Sequence, residues 1–181
     1  MEKATGQITW EETKKWIGVP LGKNESVDEV NKTWIRWWLE CIEFDCPLHY
    51  DENVARQYGY DGIIAPSSMT ISAALPPYWN FGDELTGIQD PPKKAPFEGS
   101  KLPSPGSRDF ATDYEYEFFK ALEPGDVVHS EAKVISIVPK TLKVGEGAFI
   151  TMQKEYRNQK DELLAVGKNT IFKFEPAKKE D

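Results

Sequence analysis

The chain has 181 residues and a formal net charge of −8, with 39% hydrophobic residues, which is enough for the core of one domain. It holds only two cysteines and two histidines, too few for an iron–sulfur cluster or a disulfide framework, and we expect no metal site. The acidic balance argues against a nucleic-acid partner, because phosphate backbones bind basic surfaces.

The N-terminal residues give no sign of a targeting segment. They are charged and lack the apolar run of a signal peptide, and nowhere do 18 apolar residues follow one another as a membrane-spanning helix requires. We therefore expect a cytoplasmic protein without a membrane partner, folded as one domain over residues 1–181.

The first half of the chain predicts short helices. Residues 8–18 favour a short helix or turn, and Ser26 with Glu29 has the form of a capping box for a helix over 27–41. A third helix is expected after Asp51, whose carboxylate can cap it. In the second of these helices, hydrophobic residues at spacings of three and four predict a buried stripe of Val27, Val30, Trp34, Trp37, Trp38 and Cys41.

A central helix is predicted over residues 67–75. Pro66 precedes Ser67 and Ser68, which favours a helix start, and two prolines follow its end. Its small side chains would let a sheet wrap closely around it. Residues 76–106 then contain seven of the 13 prolines and predict a long wrapped loop, a kind of segment that is usually a functional cover or disordered.

The second half alternates with period two and predicts four strands. The first strand is predicted to have an aromatic face and an opposite, mainly acidic face. The aromatic face holds Phe110, Thr112, Tyr114, Tyr116 and Phe118, and the opposite face holds Ala111, Asp113, Glu115 and Glu117. Further strands are expected over 127–138, 148–157 and 163–174, before a disordered, solvated tail at 177–181. This order predicts an α+β protein in which an antiparallel curved meander of four strands wraps around the central helix, a hot-dog fold.

His49 is the histidine best placed for chemistry. It lies on a loop between Asp45 and Asp51, and Pro47 restricts the turn between them. A carboxylate and an imidazole on one loop can position a water molecule and exchange a proton with a substrate, although a capping aspartate beside a structural histidine gives the same spacing. His129 falls within a predicted strand, where a surface or interface position is the simpler interpretation.

Other candidate groups lie close by. Cys46 shares the loop with His49, so a cysteine nucleophile is conceivable, but no neighbouring cation activates the thiol, and Cys41 is most simply a core residue. Backbone amides at a helix start can polarise a substrate carbonyl, while serine capping is the plain alternative. The residues that offer such amides here are Ala65, Pro66, Ser67 and Ser68, of which the proline contributes only its position.

Three segments resemble the MaoC-like dehydratase family. The stretch from Val30 to Met69, with CPLHYDENVA followed by GYDGIIAP, resembles that family's hydratase motif. YEFFKALEPGDVV and EYRNQKDELLAVG resemble its strands, so the resemblance spans about residues 5–175 and is nearest to single hot-dog proteins of the N-terminal MaoC type. The family implies a hot-dog fold, acyl thioesters of CoA or carrier protein as substrates, reversible hydration of a 2-enoyl thioester, an R-3-hydroxyacyl product and no cofactor.

One departure from the family pattern affects the expected site. Active members carry a D-x-N-P-x-H loop in which Asp and His flank the attacking water. Here Pro47 and His49 match, but Phe44 stands at the Asp position and Cys46 at the Asn position, with Asp45 displaced by one residue. Either Asp45 acts beside His49 and the chain is a competent hydratase, or the chain lacks its own activity and supports a MaoC partner.

The resemblance leaves the assembly and the reaction open. A homodimer or a heteromer with another MaoC-like subunit is expected, because an exposed sheet edge needs cover. A non-catalytic acyl-CoA-binding subunit and a hot-dog thioesterase are the alternatives to the hydratase. In each case the loop over 76–106 would leave room for a bulky acyl group.

Overall fold

The computed structural model describes residues 8–77, 79, 81–82 and 102–177, and its main element is a five-stranded antiparallel sheet. The strands are β1 (Pro20–Glu25), β2 (Arg108–Phe118), β3 (His129–Leu142), β4 (Gly145–Arg157) and β5 (Leu163–Pro176). Their spatial order is β1-β3-β4-β5-β2, so β1 and β2 form the two edges. The predicted α+β class with an antiparallel sheet is confirmed.

Four short α-helices lie before β2 in the described part of the chain. They are α1 (Trp10–Thr13), α2 (Lys32–Ile42), α3 (Glu52–Gln57) and α4 (Met69–Ala73), with 3₁₀ turns at Lys14–Trp16 and Pro47–His49. The short helix expected within 8–18 is confirmed. So is the helix after Asp51, whose carboxylate accepts hydrogen bonds from the amides of Asn53 and Val54.

The predicted meander of four strands is wrong in two respects. A fifth strand, β1, pairs with β3, and β2 pairs with β5 at the far edge instead of with β3. The sequence of β1, PLGKNE, has no period-two alternation and begins with proline, so it carries no strand signal of its own. The position of β2 depends on where residues 119–128 cross the sheet, which local periodicity does not encode.

A bulge at Thr112 changes which side chains of β2 share a face. Before it, Phe110 is opposite Phe172, and after it, Asp113 is opposite Thr170. Positions 170 and 172 point to the same face because they are two residues apart in β5, so Phe110 shares a face with Asp113. One extra residue reverses the alternation, and the predicted faces are therefore wrong for Phe110 and Ala111.

Helix α2 begins five residues later than predicted, and its buried stripe is different. The side chain of Asn31 caps it by accepting from the Trp34 amide. The capping box predicted at Ser26 is absent from this helix start, since the Ser26 hydroxyl instead donates to the Asp28 carbonyl. Ile35 and Leu39 form the buried face. Three predicted members of the stripe lie at the surface: Val27, Trp37 and Cys41.

Both clusters of buried core residues cover one face of the sheet, which we call the helix-covered face, while Phe172 of β5 is buried on the opposite face. Tyr156 and Ala165 are opposite each other in β4 and β5, and they pack in one cluster with Met69 and Ala73 of α4. A second cluster, under Trp10 of α1, contains residues of β3, β4 and β5. We call the opposite side of the sheet the outer face.

The central helix is present but short. α4 spans Met69–Ala73, within the predicted 67–75, and Ser68 precedes it without a side-chain cap. Its five residues therefore cover little of the sheet. Most of the predicted loop at 76–106 and the tail at 178–181 lie outside the described residues, so these predictions stay as they were.

No helix in the described ranges is both long enough and apolar enough to cross a membrane. The same residues contain no group of three or more Cys, His, Asp or Glu side chains arranged to hold a metal ion.

Candidate active site

The loop that carries His49 is a rigid turn between two helices. Pro47 begins a 3₁₀ turn in which the His49 amide donates to the Cys46 carbonyl at 3.1 Å. The next residues lead into the Asp51 cap of α3, and the Asp51 amide donates to the Pro47 carbonyl at 2.9 Å. The turn therefore holds the backbone of His49 in one place.

The imidazole of His49 is buried and anchored. Its exposed fraction is 8%, and its Nδ1 lies 2.8 Å from the carbonyl oxygen of Ile64. A carbonyl can only accept, so Nδ1 carries the proton in this contact, and in the neutral ring Nε2 is left as an acceptor. The Ile64 amide donates in turn to the Leu48 carbonyl at 3.2 Å. The sequence had given no sign that Ile64 orients the ring.

Phe44 occupies the space beside that imidazole. Its ring centroid is 5.7 Å from that of His49, at an interplanar angle of 37°. The carbonyl of Phe44 accepts a hydrogen bond from the Tyr50 hydroxyl at 3.0 Å, which ties the two ends of the loop together. An apolar ring therefore packs against the histidine at the loop position where the resemblance led us to look for a carboxylate.

Asp45 lies on the surface of the same loop. Its side chain is exposed and lines a depression of about 440 Å³ with Phe44 and Tyr50. Among the described residues, neither a hydrogen bond nor an ion pair within 4.0 Å joins the Asp45 carboxylate to His49. The structure places the two residues on one loop, and no described hydrogen bond or ion pair joins their side chains.

The backbone candidates at 65–68 separate into two pairs. Ala65 and Pro66 are buried, and the Ala65 amide already donates to the Leu122 carbonyl at 2.7 Å. Ser67 and Ser68 are exposed, and no described acceptor bonds to their amides. Only this second pair has amides that could reach a ligand, and the dipole of the short α4 helix adds little to them.

A larger groove lies at the other end of α2. It has a volume of about 1010 Å³ and runs between the first turns of α2 and the segment after α4. Asp28 and Glu29 also line it. Its apolar walls are formed by Val27, Trp34, Trp37, Leu75, Pro77 and Trp79. Two of these tryptophans, Trp34 and Trp37, belong to the stripe predicted as core, because periodicity alone does not distinguish a buried face from a ligand groove.

The remaining candidates lie in different surroundings. Cys46 is half-buried on the His49 loop, and the thiol of Cys41 is exposed on α2. His129 begins β3 opposite Arg157 of β4, and its Nε2 is 3.8 Å from Asp161. His129 is therefore a half-buried residue at a charged strand end.

The fold and the sequence both match one family of dehydratases. The family model described as "FAS1-like, dehydratase domain region" matches residues 15–166. In the solved structures, a MaoC-like dehydratase from Rhodospirillum rubrum has a TM-score of 0.56 at 20% identity, over 87% of this chain and 93% of that one. The chain belongs to the MaoC-like dehydratase family and has its hot-dog fold, which confirms both predictions.

Particular relatives within the family are multi-subunit hydratases by name. The chain is 33% identical over 170 residues to a probable enoyl-CoA hydratase alpha subunit of Thermomonospora curvata, covering 91% of this chain and 51% of that protein. It is 31% identical over 155 residues to a 3-oxo-4,17-pregnadiene-20-carboxyl-CoA hydratase alpha subunit of Mycobacterium tuberculosis, covering 83% and 46%. The chain spans about half the length of the curated relatives it matches.

A solved complex provides a further comparison. The ChsH1–ChsH2 complex from Mycobacterium tuberculosis contains a chain that superposes with a TM-score of 0.66 at 27% identity. The match covers 94% of this chain and 91% of that chain.

Proposed function

We propose that this chain is one subunit of a hydro-lyase that adds water to 2-enoyl-CoA thioesters and removes it from the 3-hydroxyacyl products. The observation that carries the proposal is the packing of Phe44 against His49. An anchored imidazole is available for proton exchange, but within the described ranges no carboxylate forms a hydrogen bond or an ion pair with it to share the water. A second MaoC-like subunit would supply a complete Asp–His pair.

The comparisons support a heteromer of this kind. Both curated relatives are named as alpha subunits of hydratases, and the solved relative is a complex of two named components. In the proposed reaction the oxygen of water forms a bond to C3 of the enoyl group, one water proton goes to the general base, and C2 takes up a proton. The thioester carbonyl accumulates negative charge, and the exposed amides of Ser67 and Ser68 are our candidates for its hydrogen-bond donors.

The groove at the start of α2 is our candidate for the acyl-binding site. Its tryptophans offer large apolar surfaces, and its volume is that of a site for a bulky ligand. Asp28 and Glu29 would repel the phosphates of CoA, so the groove suits the acyl end of the thioester. We therefore propose a bulky acyl group, larger than crotonyl, as the substrate; one relative is named for a pregnadiene carboxyl-CoA.

Hydration assays with and without a partner test this proposal. The chain alone and the chain co-expressed with a MaoC-like subunit that has an intact D-x-N-P-x-H loop are assayed for loss of the enoyl absorbance, with crotonyl-CoA and with longer and branched enoyl-CoAs. We expect turnover only from the complex. Full activity of the chain alone would contradict the subunit proposal, and free thiol released from saturated acyl-CoA would identify a thioesterase instead.

A self-sufficient hydratase is the second candidate. The contact between His49 Nδ1 and the Ile64 carbonyl favours it, because it presents Nε2 as a base. In this mechanism Asp45 would turn towards His49 and orient the water, and Nε2 would take the proton. If the chain alone is active, His49→Ala and Asp45→Asn must each abolish that activity. Activity that survives both changes would place the chemistry elsewhere.

A further inference from the structure

The strand β2 presents a long edge to the surroundings. It ends the strand order of the sheet, so one of its two edges has no strand partner among the described residues. It runs for 11 residues, Arg108–Phe118, and contains neither proline nor lysine. Most of its side chains are exposed. Such an edge is a template for another strand.

The opposite edge of the sheet, β1, is better protected than β2 against pairing with another strand. β1 has six residues, begins with Pro20 and contains Lys23. Its pairing with β3 is interrupted between Pro20 and Gly22. Short length, proline and lysine are features by which proteins block edge pairing, whereas a register irregularity is common to both edges, since β2 has its bulge at Thr112. The two edges therefore differ, and β2 is the one suited to a partner strand.

Beyond the bulge, the two faces of β2 carry different chemistry. The acidic row, which we define as Asp113, Glu115 and Glu117, lies on the outer face, because Asp113 is opposite Thr170 and Glu115 is opposite Lys168. The aromatic row is Tyr114, Tyr116 and Phe118, and it lies on the helix-covered face, where Tyr116 packs against the core.

The charge of the acidic row is only partly balanced within the chain. The Lys168 ammonium is 3.4 Å from Glu115. No described residue forms an ion pair with Asp113 or Glu117. Two of the three carboxylates are therefore available to interact with whatever strand comes next to β2.

Symmetric pairing of two β2 strands would bring the two acidic rows together. In an antiparallel pair that continues one sheet, a twofold axis perpendicular to the sheet keeps each face on its own side. Where the segments beyond the bulge pair with each other, residues of the acidic row then lie opposite residues of the acidic row. With Glu115 opposite its own copy, for example, Asp113 is opposite Glu117. Like charges directly opposite each other destabilise a strand pair.

We propose that the acidic row of β2 prevents self-pairing and selects a hot-dog subunit whose edge strand carries Lys or Arg on its outer face and apolar residues on its other face. This inference rests on the proposed heteromeric function. It assigns the choice of partner to three side chains that lie outside the His49 loop. The aromatic row contributes apolar area to any partner, whereas the acidic row distinguishes between partners.

Mixing the chain with a charge-reversed copy of itself tests the inference without a natural partner. The variant Asp113→Lys/Glu117→Lys keeps the contact between Glu115 and Lys168. We expect the wild type and the variant each to sediment as monomers at micromolar concentration, and an equimolar mixture to form dimers. The mixed association should be at least about tenfold tighter than self-association of the wild type, and it should weaken as salt is raised from 0.05 to 0.5 M.

A second variant replaces the acidic row with neutral side chains of the same shape. Asp113→Asn/Glu115→Gln/Glu117→Gln removes the repulsion without adding positive charge, so this variant should self-associate more tightly than the wild type. Sedimentation velocity measures both effects, and circular dichroism checks that the variants fold. The readout is assembly, so failure here is distinct from failure of the hydratase assay.

The matched control places the same charge change elsewhere. Glu131 and Glu175 are exposed strand residues without ion pairs in the part of the chain that the structure describes. Their double change to Lys, mixed with the wild type, should leave both proteins monomeric. The inference is overturned if this control mixture dimerises as tightly as the β2 mixture, if the β2 mixture stays monomeric, or if the wild type self-associates as tightly as the neutral variant.

Discussion

The ring of Phe44 lies 5.7 Å from the imidazole of His49, while the carboxylate of the next residue, Asp45, lies at the surface. A one-residue displacement in the loop has thus exchanged an acid for an aromatic ring beside the histidine. The imidazole of His49, our candidate for proton exchange, is anchored by the Ile64 carbonyl. The group that should share the water is elsewhere, which is why we propose a partner subunit.

Restoring the family loop should give the chain its own activity. The double variant Phe44→Asp/Cys46→Asn places a carboxylate next to His49 and an amide two residues further on. We expect it to hydrate crotonyl-CoA without a partner at about 10²-fold or more above the wild-type rate, because a positioned acid–base group contributes about 10²–10⁴. Loss of the enoyl absorbance measures the rate.

A third change in the same background serves as the control. Adding His49→Ala should remove the gained activity, because the new carboxylate then has no imidazole to act with. A folded double variant that stays at the wild-type rate would contradict our account of Phe44.

Trp37 should contribute to binding of large acyl groups and little to stability. Its side chain is 58% exposed and lines the groove. We expect Trp37→Ala to weaken binding of a bulky acyl-CoA about tenfold or more, since roughly 25 cal/mol of transfer free energy is lost per Å² of apolar area. Binding of crotonyl-CoA should not change, because the groove and the His49 loop lie at opposite ends of α2, which is roughly 16 Å long.

Isothermal titration calorimetry with the two thioesters measures this difference. Tyr58→Ala removes an exposed aromatic side chain at the C-cap of α3 and should leave both affinities unchanged. Equal loss for both thioesters with Trp37→Ala would show that the groove does not discriminate by acyl length.

Asn158 should be one of the most sensitive positions for stability. It is buried, and its side-chain nitrogen donates to Asp126 at 3.2 Å and to Glu162 at 2.8 Å. Its side-chain oxygen accepts from the amides of Lys160 and Glu162. We expect Asn158→Ala to lower the free energy of unfolding by about 2–4 kcal/mol, because Asp126 is left buried with fewer partners.

Urea unfolding measures this loss. Lys160→Ala alters an exposed side chain on the same turn and should change the free energy of unfolding by no more than about 0.5 kcal/mol. A similar loss for both variants would argue that the turn, not the Asn158 network, matters.

Glu162 should make stability depend on pH on the acid side. Its pKa is lowered, chiefly by the hydrogen bond from the Lys120 ammonium and then by that from Asn158. A group whose pKa is lower in the folded state stabilises the fold above its unfolded pKa of about 4.5, and this contribution disappears as the pH falls through the folded value. The difference in unfolding free energy between the wild type and Glu162→Gln should therefore shrink between pH 6 and pH 3.

Thermal or urea unfolding across that range tests the sign. Glu146→Gln removes an exposed carboxylate without an ion pair among the described residues and is the control against which the Glu162→Gln difference is compared. A difference for Glu162→Gln that grew at low pH would contradict the assignment.

Local patterns in the sequence predicted the type of most elements. Period two in the second half predicted β2 to β5, and Asp51 predicted the cap of α3. The position of the helix start at Asn31 was missed, because Ser26 and Glu29 offered a capping signal of the same form. Such signals are short, and the packing of Ile35 and Leu39 against the core decides which of them is used.

The residues of the candidate site were also predicted only in part from the sequence. His49 and its loop were found from residue types and spacing. The Ile64 carbonyl that orients the ring was not, since any residue type presents a carbonyl and the contact joins positions 15 residues apart. The surface position of Trp37 was missed as well, because three- and four-residue spacing marks a helix face without saying what covers it.

The sequence by itself determined the α+β class, the long strands and the histidine loop, because element type and turn geometry depend on neighbouring residues. Only the tertiary structure decided the order of the strands, the bulge at Thr112, the shortness of α4 and the contact of Phe44 with His49. These features depend on contacts between residues far apart in the chain, and such contacts are settled when the hydrophobic faces of all the elements pack together.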